Sequence, residues 1–118
     1  MLIASPEYNY SIPGGLKNLL DWLSRPYAQS VLTDKNIAIM GASGGPFGTV
    51  RAQNHLCDVF HQVDGKVVSK PEVYVGLNGT RFDEQGNLVD ETSRNLIAGL
   101  IAALVVQIQR HALVGASA

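Results

Sequence analysis

Two stretches of this chain carry groups able to do chemistry. The first is Ser5-Pro6-Glu7-Tyr8-Asn9-Tyr10-Ser11-Ile12-Pro13-Gly14-Gly15, which follows a short apolar run from Met1 to Ala4. It places a carboxylate, two phenols and an amide between two prolines. Asn9 offers both a donor and an acceptor. Tyr8 offers a flat apolar face with a polar tip. Pro6 fixes its own φ and biases Ser5 toward an extended shape. A stiff loop that displays such groups reads as a ligand loop. The second stretch is Ala42-Ser43-Gly44-Gly45-Pro46-Phe47-Gly48. Its glycines carry no Cβ, so a ligand can approach the backbone closely. Each stretch also has a plainer reading, Pro6 to Asn9 as a structural connector and Ser43 to Gly45 as a simple left-handed turn.

Both loops stand between a strand pattern and a helix pattern. Met1 to Ser5 reads as a buried strand. Gly14 to Pro26 reads as a helix, with Leu16, Leu19, Leu20 and Leu23 forming one apolar stripe. Lys17 and Asp21 are spaced for an i,i+4 ion pair. Lys35 to Gly41 reads as a second buried strand, and Thr49 to His61 as a second helix. Lys66 to Ser69 and Glu72 to Gly76 read as β segments split at Pro71, which cannot donate to a ladder. Glu84-Gln85-Gly86-Asn87 marks a turn. A last helix is expected over Glu91 to His111, capped by Asp90 or Thr92, with Ile97, Leu100, Ile101, Leu104, Val105 and Ile108 as its stripe. Strands alternating with helices define an α/β fold with a parallel sheet. Ligands of open parallel sheets bind beyond the strands' carboxyl ends, where both loops fall.

The 118 residues suffice for one domain, expected over 1–118. Nine basic and ten acidic side chains give a net charge of −1 with no basic tract, so no nucleic-acid partner is expected. One cysteine, Cys57, excludes an internal disulfide and a cysteine zinc site, and a reducing cytoplasm fits. The run Leu96 to Val106 is shorter than the roughly 20 residues of a membrane span, and no membrane partner is expected. Cys57 and His61 share a helix face without further ligands nearby, so no metal is expected. Only three strands are visible, and a sheet that starts with a central strand is a poor stand-alone domain. The chain is therefore expected to be the C-terminal part of a larger fold, with the free strand edge inviting association.

The segment Ser5 to Arg25 closely resembles the signature of the flavodoxin-like NAD(P)H-dependent FMN reductases, a family that includes quinone, chromate and azo-compound reductases. Ala42 to Gly48, followed by Arg51, Gln53, His55 and Leu56, is similar to that family's second flavin-side loop. Phe82, Gly86 and Asp90 also look familial. The resemblance implies strand order 2-1-3-4-5 with the first two βα units missing here, and with them the loop that cradles the FMN phosphate. It implies FMN as cofactor, NAD(P)H as cosubstrate, a small-molecule electron acceptor such as a quinone, ping-pong hydride transfer, and a homo-oligomer, dimer or tetramer. Pro6, Glu7, Tyr8 and Asn9 would lie along the isoalloxazine ring, and Ala42, Ser43, Gly44 and Gly45 would meet its edge. No catalytic side chain is expected, since the cofactor carries the chemistry. Glu7 is expected in a local ion pair or at a subunit contact. Arg51 is expected at the surface, on a substrate phosphate or at a neighbouring subunit. Tyr10 and Trp22 are expected as core or subunit-contact aromatics. The competing expectation is a non-catalytic fragment or interaction module without bound cofactor.

Overall fold

The computed structural model describes residues 1–115. Its elements in chain order are β1 (Leu2–Ala4), α1 (Gly14–Leu23), β2 (Asn36–Ala42), α2 (Val50–Gln62), β3 (Lys66–Val67), β4 (Val73–Val75) and α3 (Glu91–Gly115), with short 3-10 turns at Tyr27–Gln29 and Asn78–Thr80. All pairings within the sheet are parallel. β2 is central, with β1 on one side and β3 and β4 in succession on the other. β3 and β4 are thus two halves of one broken strand, interrupted around Pro71.

β2 alternates in the way a strand covered on both faces must. Ile37 and Ile39 enter a core with Leu20, Leu32, Leu56 and Phe60, under α1 and α2. Ala38 enters a second core with Val73, Val75, Leu100 and Leu104, under α3, and Met40 packs against it. Gln53 ties α2 to β4 by donating from Nε2 to the Val73 carbonyl (2.9 Å) and to Thr49 Oγ1 (2.9 Å).

Several expectations need correction. β1 is not a buried strand: among the described residues it pairs only with β2, and Leu2 is 42% exposed. In α1, Leu20 is buried while Leu19 lies in solvent, and the helix ends at Leu23. Tyr10 and Trp22 are not core residues, since both are exposed. α3 is capped as expected, with Asp90 accepting from the Ser93 amide (2.8 Å), but it continues past His111 to Gly115. Of its six-residue stripe, Leu100 and Leu104 are buried and Ile97 packs beside them. Ile101, Val105 and Ile108 are exposed. By length and composition α3 would reach across a membrane. Its packing on β2 and β4 makes it one layer of the α/β sheet instead.

Candidate flavin-ring site

The two loops meet at the carboxyl ends of β1 and β2. The Ser5 amide donates to the Met40 carbonyl (3.0 Å), which carries the parallel ladder one step beyond Ala4. Gly41 sits where the chains cross, and a Cβ there would collide with Thr49 Oγ1 and the Ser5 carbonyl oxygen. That close approach is what requires glycine at this position.

Residues 8–11 form a tight hairpin. The Tyr8 and Ser11 amides each donate to the other residue's carbonyl, at 2.8 and 2.9 Å. The central residues, Asn9 and Tyr10, have φ of +50° and +67°. Positive φ at both central positions matches the twist of a two-residue hairpin. Asparagine adopts this shape readily, whereas a bulky tyrosine does so uncommonly. The result holds the Tyr8 and Tyr10 rings out in solvent.

Glu7 turns inward. Its side chain is 9% exposed and reaches the N-terminus of α2, 44 residues away in sequence. Oε2 accepts from the backbone amides of Arg51 (3.0 Å) and Ala52 (3.2 Å), and Oε1 accepts from the Arg51 guanidinium (2.6 Å). Thr49 makes no side-chain cap, so Glu7 caps α2 from a distance. Burial pushes the Glu7 carboxyl up, but the Arg51 hydrogen bond, the two amides and the Arg51 charge together bring it below its ordinary value. The expected local ion pair is present, and a fully engaged carboxylate is poorly placed for acid–base work. The Arg51 guanidinium also lies over the Tyr10 ring, 3.8 Å from its centroid, and 5.2 Å from that of Phe47.

The second loop is fixed by its own bonds. The Ser43 amide donates to the Val75 carbonyl (2.9 Å), and Ser43 Oγ donates to the Gly48 carbonyl (2.6 Å). The Leu77 and Asn78 amides donate to the carbonyls of Gly45 (3.0 Å) and Ser43 (3.1 Å). The left-handed residue is Gly48, at φ +60°, not Gly44 or Gly45. A Cβ on Gly44 or Gly45 would meet nothing nearer than 3.8 Å. Their lack of a side chain therefore serves no packing within the chain and leaves a clear backbone face.

Glu7, Ser43, Gly44, Gly45, Phe47, Gly48 and Arg51 line one cavity of about 330 Å³. Of the residues singled out in the sequence, the structure brings together Glu7, Ser43, Gly44 and Gly45. Tyr8 and Asn9 stand on the hairpin beside them, and the Pro6 carbonyl accepts from Ser5 Oγ (2.9 Å). Ala42 lines a different, apolar cavity on the α3 side of the sheet. A larger cavity of about 390 Å³ lies between α1 and α2, away from the strands' carboxyl ends. Among the described residues, the backbone amides of Glu7, Gly44 and Gly45, which line this cavity, have no hydrogen-bond partner, and neither have those of Asn9 on the hairpin and of Phe47 and Gly48 in the second loop. Unengaged donors along a wall that carries no side chain at Gly44 and Gly45 suit the pyrimidine edge of an isoalloxazine ring, which alternates acceptors and donors. The residues present therefore fit the ring end of FMN. The α2 N-terminus opens on the same region, but Glu7 already occupies two of its amides, so it is not a free anion site. Among the described residues no group of three or more histidine, cysteine, aspartate or glutamate side chains could hold a metal ion. The Glu7 cap and the 8–11 hairpin were not legible in the sequence. The signal for the hairpin was Asn9 set between two tyrosines.

An open parallel sheet with helices on both faces defines a doubly wound α/β protein. Residues 1–79 match the model of the NADPH-dependent FMN reductase family, and the chain belongs to that family. It is 46% identical over 110 residues to an NAD(P)H-dependent FMN reductase of Pseudomonas aeruginosa, covering 93% of this chain and 59% of that protein. It is 40% identical over 111 residues to a quinone reductase of Escherichia coli K12, covering 93% and 58%. FerB, a flavoenzyme NAD(P)H:(acceptor) oxidoreductase from Paracoccus denitrificans, superposes with a TM-score of 0.81 at 34% identity, over 93% of this chain and 60% of that one. The chain thus spans about three-fifths of the length of these relatives.

Proposed function

We propose that the chain provides the flavin-ring site of an FMN-dependent NAD(P)H oxidoreductase that reduces quinones or similar diffusible acceptors. The carrying observation is the cavity lined by Glu7, Ser43, Gly44 and Gly45, where the amides of Glu7, Gly44 and Gly45 make no hydrogen bond and the two glycines present no side chain. Relatives named as FMN and quinone reductases support the reading. Bound FMN would supply the hydride carrier between the nicotinamide and the acceptor. Pro6 to Asn9 and Ala42 to Gly45 would hold the ring, the amides donating to its oxygens and unprotonated nitrogens. Glu7 and Arg51 act one step back: by clamping the first loop onto α2 they set the spacing of the two loops. Exposed Tyr10, Leu19 and Trp22 support a homo-oligomer built through α1 and the hairpin. A single free cysteine supports a reducing cytoplasm.

The test is to supply FMN and NADPH to the purified chain with a benzoquinone and to follow NADPH oxidation. The reading expects flavin-dependent quinone reduction that falls when Gly44 or Gly45 becomes valine. A protein that takes up no flavin and gives no turnover above free FMN would contradict it. Light scattering would check the oligomer, which Trp22→Glu should weaken.

A further inference from the structure

The face of α3 that meets the sheet changes character along the helix. Leu100 and Leu104 are buried in the core beneath it. Gln107 and His111 continue the same face, at the three- and four-residue spacing of helical neighbours, and both are half-buried. There the helix passes Asn36 and Lys66, the paired first residues of β2 and β3. Gln107 Nε2 donates to the Lys66 carbonyl (2.7 Å) and to Asn36 Oδ1 (3.1 Å). Asn36 Nδ2 lies 3.2 Å from His111 Nδ1. Beyond Leu104 no described residue of α3 is buried, so this polar chain is what ties its last turns to the sheet.

The direction of these bonds is set from one end. The Lys66 carbonyl can only accept, and as backbone of a paired strand it cannot turn away. It therefore requires the amino group of Gln107, not its oxygen. The second hydrogen of that amino group requires Asn36 to present Oδ1. Asn36 then has only Nδ2 to offer His111, so Nδ1 of His111 accepts. An imidazole accepts there only when it is neutral and carries its proton on Nε2. Protonated His111 sets donor against donor. Turning the Asn36 amide gives no relief, because Nδ2 would then face the Gln107 amino group. Protonation thus costs the chain one bond whichever way Asn36 is turned.

The surrounding charges do not repay that loss. Arg110 from α3 and Lys66 from β3 line the same corner as cations. The carboxylates of Asp64 (2.5 Å) and Asp34 (3.4 Å) are held by Lys66 Nζ, and the Met1 ammonium donates to the Asn36 carbonyl (2.6 Å). Among the described residues no carboxylate pairs with His111. We propose that Gln107, Asn36 and His111 form a proton-operated latch. It holds the last turns of α3 to the sheet while His111 is neutral and releases them when His111 is protonated.

The test follows amide resonances and hydrogen exchange of the 118-residue chain across the titration of His111, read from the ring's own resonances. As His111 takes up its proton, the Asn36 Nδ2 resonances should shift. Protection of the α3 amides beyond Leu104, corrected for intrinsic exchange, should fall roughly two- to tenfold, the worth of one hydrogen bond. His111→Asn puts an oxygen that does not take up a proton in the place of Nδ1, and should keep its protection over the same range. Gln107→Leu removes the group that sets the Asn36 amide. Asn36 can then turn its oxygen to protonated His111, and the pH dependence should disappear. Protection indifferent to His111 protonation, or equally acid-sensitive in His111→Asn, would overturn the proposal. Undiminished pH dependence in Gln107→Leu would also overturn it, since the charge of His111 alone would then account for the effect. None of these readouts involves flavin, so the quinone-reductase reading stands or falls separately.

Discussion

Glu7 shows what a side chain beside a ligand face does when it is not itself reactive. Its carboxylate holds one guanidinium and two amides of α2, and so joins the first loop to the second helix. Glu7→Gln keeps the shape and removes the charge. It should cost about 1–3 kcal/mol, read from chemical denaturation, because bonds to a charged acceptor are stronger than neutral ones. The pH dependence has a definite sign. The folded-state pKa of Glu7 lies below its unfolded value, so its stabilisation is complete above the ordinary carboxylate range and is lost as pH falls through the folded value. Glu7→Gln should therefore be less stable than the parent at neutral pH, and the gap should close in acid. A gap independent of pH would contradict the ion-pair account. None of this was legible locally, since Glu7 and its partners lie 44 and 45 residues apart. The sequence showed a carboxylate in a stiff loop, and only the tertiary fold shows where it points.

At the scale of elements, the strand and loop positions and most of the α1 face were readable, and the face of α3 was not. β2 announced itself through Ile37 and Ile39, which enter one core, with Ala38 between them entering the other. Pro71 announced the break between β3 and β4. α3 misled because it is apolar on more than one side. A 3.6-residue period finds a stripe there, but cannot say which flank meets a sheet. Glycine positions separate structural from ligand demands in the same way. Gly41→Ala would drive a Cβ into Thr49 and Ser5, and Gly48→Ala combines a φ of +60° with contact on Tyr74. Each should lower the melting temperature markedly, at a cost of about 1–3 kcal/mol. Gly44→Ala and Gly45→Ala meet nothing nearer than 3.8 Å and should change stability by less than about 0.5 kcal/mol. If Gly44→Ala destabilises as much as Gly41→Ala, the clear face belongs to folding and not to a ligand.

The whole molecule is a sheet covered fully on the α1 and α2 side and partly on the other. Its two cores meet at β2, while β1 and one flank of α3 end in solvent. The energetic consequence is direct. Leu100→Ala or Leu104→Ala should cost about 2–5 kcal/mol, as for other buried leucines. Ile101→Ala or Val105→Ala in the isolated chain should cost about 0.5 kcal/mol or less, because little is buried there to lose. The sequence already hinted at this imbalance, since few strands were visible for a parallel sheet with two faces to cover. All of it bears on one claim, that the loops at 5–11 and 42–48 together form the face for an isoalloxazine ring. The most direct measurement is a titration of the isotopically labelled chain with lumiflavin, a flavin ring that carries no phosphate, followed through backbone amide resonances. The account predicts saturable shifts centred on Glu7, Asn9, Gly44 and Gly45, abolished by Gly44→Val. Shifts centred on the cavity between α1 and α2, or none at all, would contradict it.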